Sequence, residues 1–142
     1  MINKMIDKGL TVSTMESCTG GLMSSVITDV SGSSEIFPGG FVTYSNAAKI
    51  RQGVQEDVIG RFGVYSGETA AEMARACQDS YRTLIGIGIT GTLGRKDPNN
   101  TDSVPGQAFY CIMIGEDKNS YELELDNTAD REKNKRLIVS DV

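Results

Sequence analysis

The chain predicts a single-domain α/β fold: a three-layer α/β/α sandwich on a mixed sheet, spanning residues 1–142. Three observations carry this expectation. Apolar strand-like runs alternate with stretches of helical period, and the last two strands follow one another directly, as an antiparallel hairpin does. The 142 residues, with 39% hydrophobic content, supply one core and leave no room for a second.

Each element has its own signal. Ile2 to Lys8 reads as a short helix stopped by Gly9, and Leu10 to Met15 alternates as a strand does. Leu22, Val26, Ile27 and Val30 mark one face of a helix that ends before Ser31-Gly32-Ser33-Ser34. Gly39 to Ser45 is rich in β-branched and aromatic residues and predicts a strand, after which Asn46 is expected to cap a helix over Ala47 to Gln52. A small helix falls over Glu56 to Phe62. Ser66 then caps a stronger one, with Ala70, Met73, Ala74, Cys77 and Tyr81 on one face and Glu68 suited to the dipole in its first turn. Thr83 to Thr90 predicts an apolar strand, Gly91 to Pro105 a polar loop and Gln107 to Ile114 another strand. Gly115 to Asn119 is expected to turn the chain into Ser120 to Leu125, and Arg131 to Val139 closes as a helix.

Composition excludes several functions. With 14 basic against 19 acidic residues the net charge is −5, which argues against bulk nucleic-acid binding. The cluster Arg131, Lys133, Lys135 and Arg136 reads as a solvated helix face. Cys18, Cys77 and Cys111 are too few and too widely spaced for a disulfide framework or a metal pair, and they suit a reducing cytoplasm. No apolar run approaches the ~20 residues that cross a bilayer, and Met1 to Lys8 lacks a signal-peptide core, so a soluble, unprocessed cytoplasmic protein is expected. Histidine is absent, which removes Ser-His-Asp triads, Cys-His dyads and imidazole-held zinc.

The segment Glu16-Ser17-Cys18-Thr19-Gly20-Gly21 sets a hydroxyl on a tight turn between the first strand and a helix start. Glycines there let backbone amides approach a ligand, beside the partial positive charge of the helix N-terminus. Taken alone, Ser17 reads first as a helix cap; as a nucleophile it needs a base. Lys49 is the candidate. With Asn46 as cap it occupies the third helical position, where the dipole disfavours a cation, and partial burial would lower its pKa further toward a proton-accepting range. Its other reading is a side chain that snorkels into solvent. Tyr44, at the end of the preceding strand, could relay a proton or orient Lys49, or simply belong to the core. Cys18 is a rival nucleophile or a buried, inert thiol. Gly86-Ile87-Gly88-Ile89-Thr90-Gly91 matches a dinucleotide fingerprint literally, but its first glycines fall inside a strand and a loop follows, so no dinucleotide is expected. Thr90-Gly91 is better placed as a strand-end turn facing a ligand. Gly91 to Lys96 resembles a phosphate loop only superficially, because the spacing to the lysine is wrong.

Several blocks together resemble one family, the CinA C-terminal domain, which also exists as the stand-alone PncC-type nicotinamide-mononucleotide deamidase. Met15 to Leu22 is similar to its AESCTGGL signature, Gly32-Ser33-Ser34 with Phe37, Gly39 and Gly40 to the loop that follows, and Phe41 to Asn46 with Lys49 to its VTYSNxxK block. Gly63-Val64-Tyr65-Ser66 resembles its GAVS helix start, Thr90-Gly91 its TGIAGP turn and Asp130-Arg131 a DR pair before the last helix.

The resemblance implies an amidohydrolase that converts nicotinamide mononucleotide and water to nicotinic acid mononucleotide and ammonia, with neither metal nor cofactor. Ser17, Tyr44 and Lys49 would be catalytic. Thr19, Gly20, Gly21, Ser34, Gly39, Gly40, Asn46, Thr90 and Gly91 would contact substrate, with the Gly20 and Gly21 amides or the Ser34 hydroxyl holding the oxyanion. The expected partner is a small nucleotide, with no nucleic acid or membrane, and a homo-oligomer is expected. Where the family continues TGIAGP into a glycine-rich loop and KPVGTV, this chain has Thr90 to Arg95 and then Ser103 to Gln107. Arg95 and Lys96 there could grip a phosphate or face solvent. The altered loop keeps two alternatives open: a catalytically silent nucleotide-binding or regulatory module of the same fold, and an amidase for another small carboxamide.

Overall fold

The computed structural model describes residues 1–142. Its strands are β1 (Val12–Glu16), β2 (Gly40–Val42), β3 (Ile85–Gly91), β4 (Gln107–Ile114) and β5 (Asp117–Glu124). They form one sheet in the order β2-β1-β3-β4-β5. β1 pairs in parallel with β2 and β3, while β3 with β4 and β4 with β5 are antiparallel. The helices are α1 (Ile2–Lys8), α2 (Leu22–Thr28), α3 (Asn46–Arg51), α4 (Glu56–Phe62), α5 (Gly67–Tyr81) and α6 (Arg131–Asp141), with a 3₁₀ turn at Ser33–Glu35.

Alternation along β1 sorts the two outer layers. Val12 packs with Ile27 of α2 and Ile138 of α6, and Thr14 shares a hydrogen bond of 2.8 Å with Ser24 of α2. Met15, facing the other way, packs with Met73 and Cys77 of α5. The sheet is therefore flanked on both sides, by α1, α2 and α6 on one face and by α5 on the other. No helix is long and apolar enough to cross a membrane.

Gly86 and Gly88 explain the literal dinucleotide fingerprint. Both point from β3 toward α5, and a Cβ at either would strike the backbone carbonyl oxygen of Ala74 or Ala70. With Ala70, Ala71 and Ala74 opposite, they let the helix settle directly on the sheet.

The observed boundaries shift for local reasons. β1 begins at Val12 because Gly9 adopts the left-handed conformation and the Leu10 amide bonds back to Met5 O at 2.9 Å, holding Leu10 to α1. α2 stops at Thr28, short of Val30, where the chain turns toward Gly32. β2 ends at Val42; Thr43 N still reaches Glu16 O at 2.8 Å, but Ser45 is already the cap of α3, its hydroxyl accepting from Ala48 N at 3.1 Å. The cap expected at Asn46 is thus one residue too late. β3 starts at Ile85, since the Leu84 amide goes to the Thr11 hydroxyl. The final hairpin turns on Gly115 and Glu116, with Ile114 opposite Asp117, so β5 begins earlier than Ser120. α6 runs on to Asp141, whose carboxylate accepts from Tyr110 OH at 2.8 Å.

Gly88→Ala is expected to cost about 1 to 3 kcal/mol by overpacking. Gly60→Ala in α4, where an added Cβ meets nothing within 4 Å, should instead gain up to about 1 kcal/mol. Urea denaturation of the two variants separates them; equal effects would contradict the packing role of Gly88.

Candidate active site

The carboxyl ends of β1 and β3 open into a cleft of about 450 Å³, where open α/β sheets place ligands. Ser17 and Cys18 form its floor, Tyr44 and Asn46 one wall, and the loop from Gly91 to Asn100 another, with Arg131 reaching in from α6.

Glu16 builds the turn that presents Ser17. Its side chain is fully buried and accepts five hydrogen bonds: from Thr19 Oγ1, the amides of Gly21, Met23 and Ser24, and Ser24 Oγ, at 2.7 to 3.1 Å. One carboxylate thereby satisfies the free amides at the start of α2. Left-handed φ values at Gly20 and Gly21, 62° and 96°, make the reversal possible.

This changes the anion cradle expected from the glycines. The Gly21 amide is spent on Glu16 and the Gly20 amide on Ser17 O, at 3.1 and 3.0 Å. The amides of Cys18 and Thr19 donate to nothing else in the chain. They are the donors of the turn left without an acceptor.

Lys49 is 1% exposed, yet it has no carboxylate partner. Its Nζ lies 3.0 Å from Ser17 Oγ and donates to Thr43 O at 2.7 Å. It is the fourth residue of α3, counted from Asn46. Burial is the leading cause that brings its pKa from 10.5 down to about 8, against opposing pulls from Cys18 and Asp97. The amine is therefore partly neutral near physiological pH. Cys18 behaves oppositely: burial pushes its thiol up to about 12, so it is protonated and inert.

Tyr44 is 66% exposed at the cleft mouth, and its hydroxyl accepts from Arg131 at 3.1 Å instead of touching Lys49 or Ser17. Lysine and serine meet directly, with no relay between them. The same guanidinium donates to Leu93 O, so Arg131 joins α6 to the loop and to Tyr44.

Of the remaining expected contacts, Asn46 and Gly91 line the cleft. Thr19 is held on Glu16. Thr90 donates its hydroxyl to Val64 O, away from the opening. Gly39 sits under the Tyr81 ring and Gly40 against Thr14, so both serve close packing. Ser34 belongs to the turn whose Ile36 carbonyl receives the Val12 amide, at the opposite end of β1 from Ser17. Within one chain it cannot serve the oxyanion.

A second group was not foreseen. Tyr65 OH and Asn100 Nδ2 both donate to Asp97 Oδ2, at 2.6 and 2.7 Å, and the Asn99 amide donates to Oδ1 at 2.9 Å. Asn46 Nδ2 donates to Asn100 Oδ1 at 2.9 Å. These bonds hold the Asp97 carboxyl below its usual range, and burial together with Asp97 raises the Tyr65 phenol. Only the run Asp97-Pro98-Asn99-Asn100, a turn-forming sequence, hinted at order in this loop.

Fold and site together define an α/β domain with a buried lysine bonded to a serine at the carboxyl end of its parallel strands. The family model for the CinA C-terminal domain matches residues 1–142, and the chain belongs to that family. It is 40% identical, over 97% of its length, to a relative from Halothermothrix orenii named as a competence-damage inducible protein, and 46% identical, over 81%, to a CinA-like protein from Kosmotoga olearia. The chain spans 33% and 27% of those relatives. Among solved structures, a competence/damage inducible protein from Agrobacterium tumefaciens superposes with TM-score 0.88 at 29% identity, covering 97% of this chain and 84% of that one. A CinA superfamily protein from Escherichia coli gives 0.87 at 25%, covering 96% and 78%.

The buried amine has a signature in stability. Lys49 is harder to protonate folded than unfolded, so between pH 8 and 10.5 the unfolded state binds the extra proton and stability rises with pH. The rise is about 3 kcal/mol in full, and below pH 8 the penalty is wholly present. Lys49→Met should lack this rise and be more stable than the parent at pH 7. Parallel pH dependences in urea titrations of the two proteins would refute the assignment.

Proposed function

We propose that the chain is a nicotinamide-nucleotide amidohydrolase, converting nicotinamide mononucleotide and water to nicotinic acid mononucleotide and ammonia through an acyl-enzyme on Ser17. The observation that carries this reading is the buried amine 3.0 Å from the Ser17 hydroxyl. Family membership and the charge of the cleft add to it. Arg95, Lys96 and Arg131 line the cavity against one carboxylate, Asp97, itself saturated by donors. Such a balance suits a phosphate monoester. The volume suits a small nucleotide.

In this reading neutral Lys49 donates one N–H to Thr43 O, which aims its lone pair at the Ser17 proton. Ser17 Oγ attacks the carboxamide carbon as its proton passes to Nζ. The amides of Cys18 and Thr19 hold the oxyanion, each such donor being worth roughly 3 to 4 kcal/mol. Collapse breaks the C–N bond, the Lys49 ammonium gives its proton to the leaving nitrogen, and ammonia departs. Water then attacks the ester, its proton passing to Lys49, and the proton returns to Ser17 as the acid is released. Tyr44, with Arg131 on its hydroxyl, borders the substrate at the mouth.

Ammonia release from nicotinamide mononucleotide tests this. Ser17→Ala and Lys49→Met should each lower kcat/KM by at least about a thousandfold. Because only neutral Lys49 accepts a proton, kcat/KM should rise tenfold per pH unit and level off above about 8. Saturable binding without ammonia would instead identify a nucleotide-binding module, and turnover that survives Ser17→Ala would exclude serine chemistry.

A further inference from the structure

The loop between β3 and β4 departs from the family pattern, yet one side chain organises it. Asp97 receives Tyr65 OH, Asn100 Nδ2 and the Asn99 amide, while its own amide donates to Ser103 Oγ at 2.9 Å. Through Asn100 the knot continues to Asn46, the first residue of α3, three positions before Lys49. Asp97 therefore ties three separate parts of the chain together: the loop, the segment leading into α5, and the helix that carries the amine. Arg95 and Lys96, which line the cleft, immediately precede it.

We propose that Asp97 is a positioning residue for the Ser17–Lys49 centre, locking the cation-bearing loop onto the helix that supplies the base. The proposal rests on the amidohydrolase reading for its purpose, but not for its geometry. Because both carboxylate oxygens are occupied by protein donors, Asp97 shapes the cleft without needing to bind substrate. Its charge also acts on the amine, as the smallest contribution at each group: Asp97 raises the proton affinity of Lys49, and Lys49 lowers that of Asp97. The other titratable neighbour of Lys49 is the protonated Cys18 of the β1–α2 turn, and Tyr44, Tyr65, Arg95, Lys96 and Arg131 line the same cleft.

Two readouts on Asp97→Asn, neither needing substrate, test this. Isotope-labelled lysine, with Lys49 assigned by its loss in Lys49→Met, reports the amine's titration, which should move below its position near 8. Hydrogen exchange of the amides from 95 to 103 should accelerate by about tenfold or more as charge-assisted bonds are lost. An unmoved Lys49 titration overturns the proposal even if the loop loosens, because Asp97 would then hold only its own loop; unchanged exchange overturns it as well. Should Asp97→Asn not fold, Tyr65→Phe removes one donor and keeps the charge. Faster loop exchange in that variant supports the lock, and unchanged exchange overturns it. The ammonia assay can fail while these measurements succeed, and the reverse, so the two readings fall separately.

Discussion

A primary amine buried without a carboxylate is the constraint around which this structure is organised. Removing an ammonium from water is expensive, and Lys49 meets that cost with only a carbonyl and a hydroxyl. Such a site shifts the amine toward its neutral form, bringing its pKa down to about 8. A neutral amine held against a serine pairs a base with a potential nucleophile, so in the proposed reading the feature that weakens the fold would also supply its chemistry. With no histidine in the chain, proton transfer to and from Ser17 has no imidazole to rely on.

Glu16 provides the counterpart. Its carboxylate gathers the amides at the start of α2 and fixes the sharp turn after β1, which leaves Ser17 at the strand end opposite α3. The positive end of α2 is consequently filled by the protein's own anion. The cationic side chains of the cleft are instead Arg95, Lys96 and Arg131, while the turn keeps only two uncommitted amides next to the Ser17 hydroxyl.

Periodicity made the layers legible. The face of α5 and its Ser66 cap stand where the residues predict them, and β1 and the closing hairpin are present with shifted boundaries, because each is decided by contacts within a few positions or by one apolar stripe. Lys49 was legible as a residue out of place: α3 begins at Asn46 behind a Ser45 cap, one residue earlier than expected, and burial lowers its pKa as anticipated. The strand glycines were recognisable as no dinucleotide site, yet their purpose, room for the Ala70 and Ala74 backbone, exists only once α5 is docked. The Asp97 knot was illegible because it joins residues far apart in the chain, and no local pattern announces which donors a loop carboxylate will find. Ser34, Gly39 and Gly40 show the converse: motif neighbours that folding sends away from the cleft.

The central claim is that Lys49 activates Ser17, and covalent capture of the serine by a fluorophosphonate tests it without any assumption about substrate. The account predicts labelling on the Ser17 peptide, faster as pH rises and constant above about 8, and lost in Lys49→Met. Labelling that is indifferent to pH, that persists without the lysine, or that falls on Cys18 would contradict it.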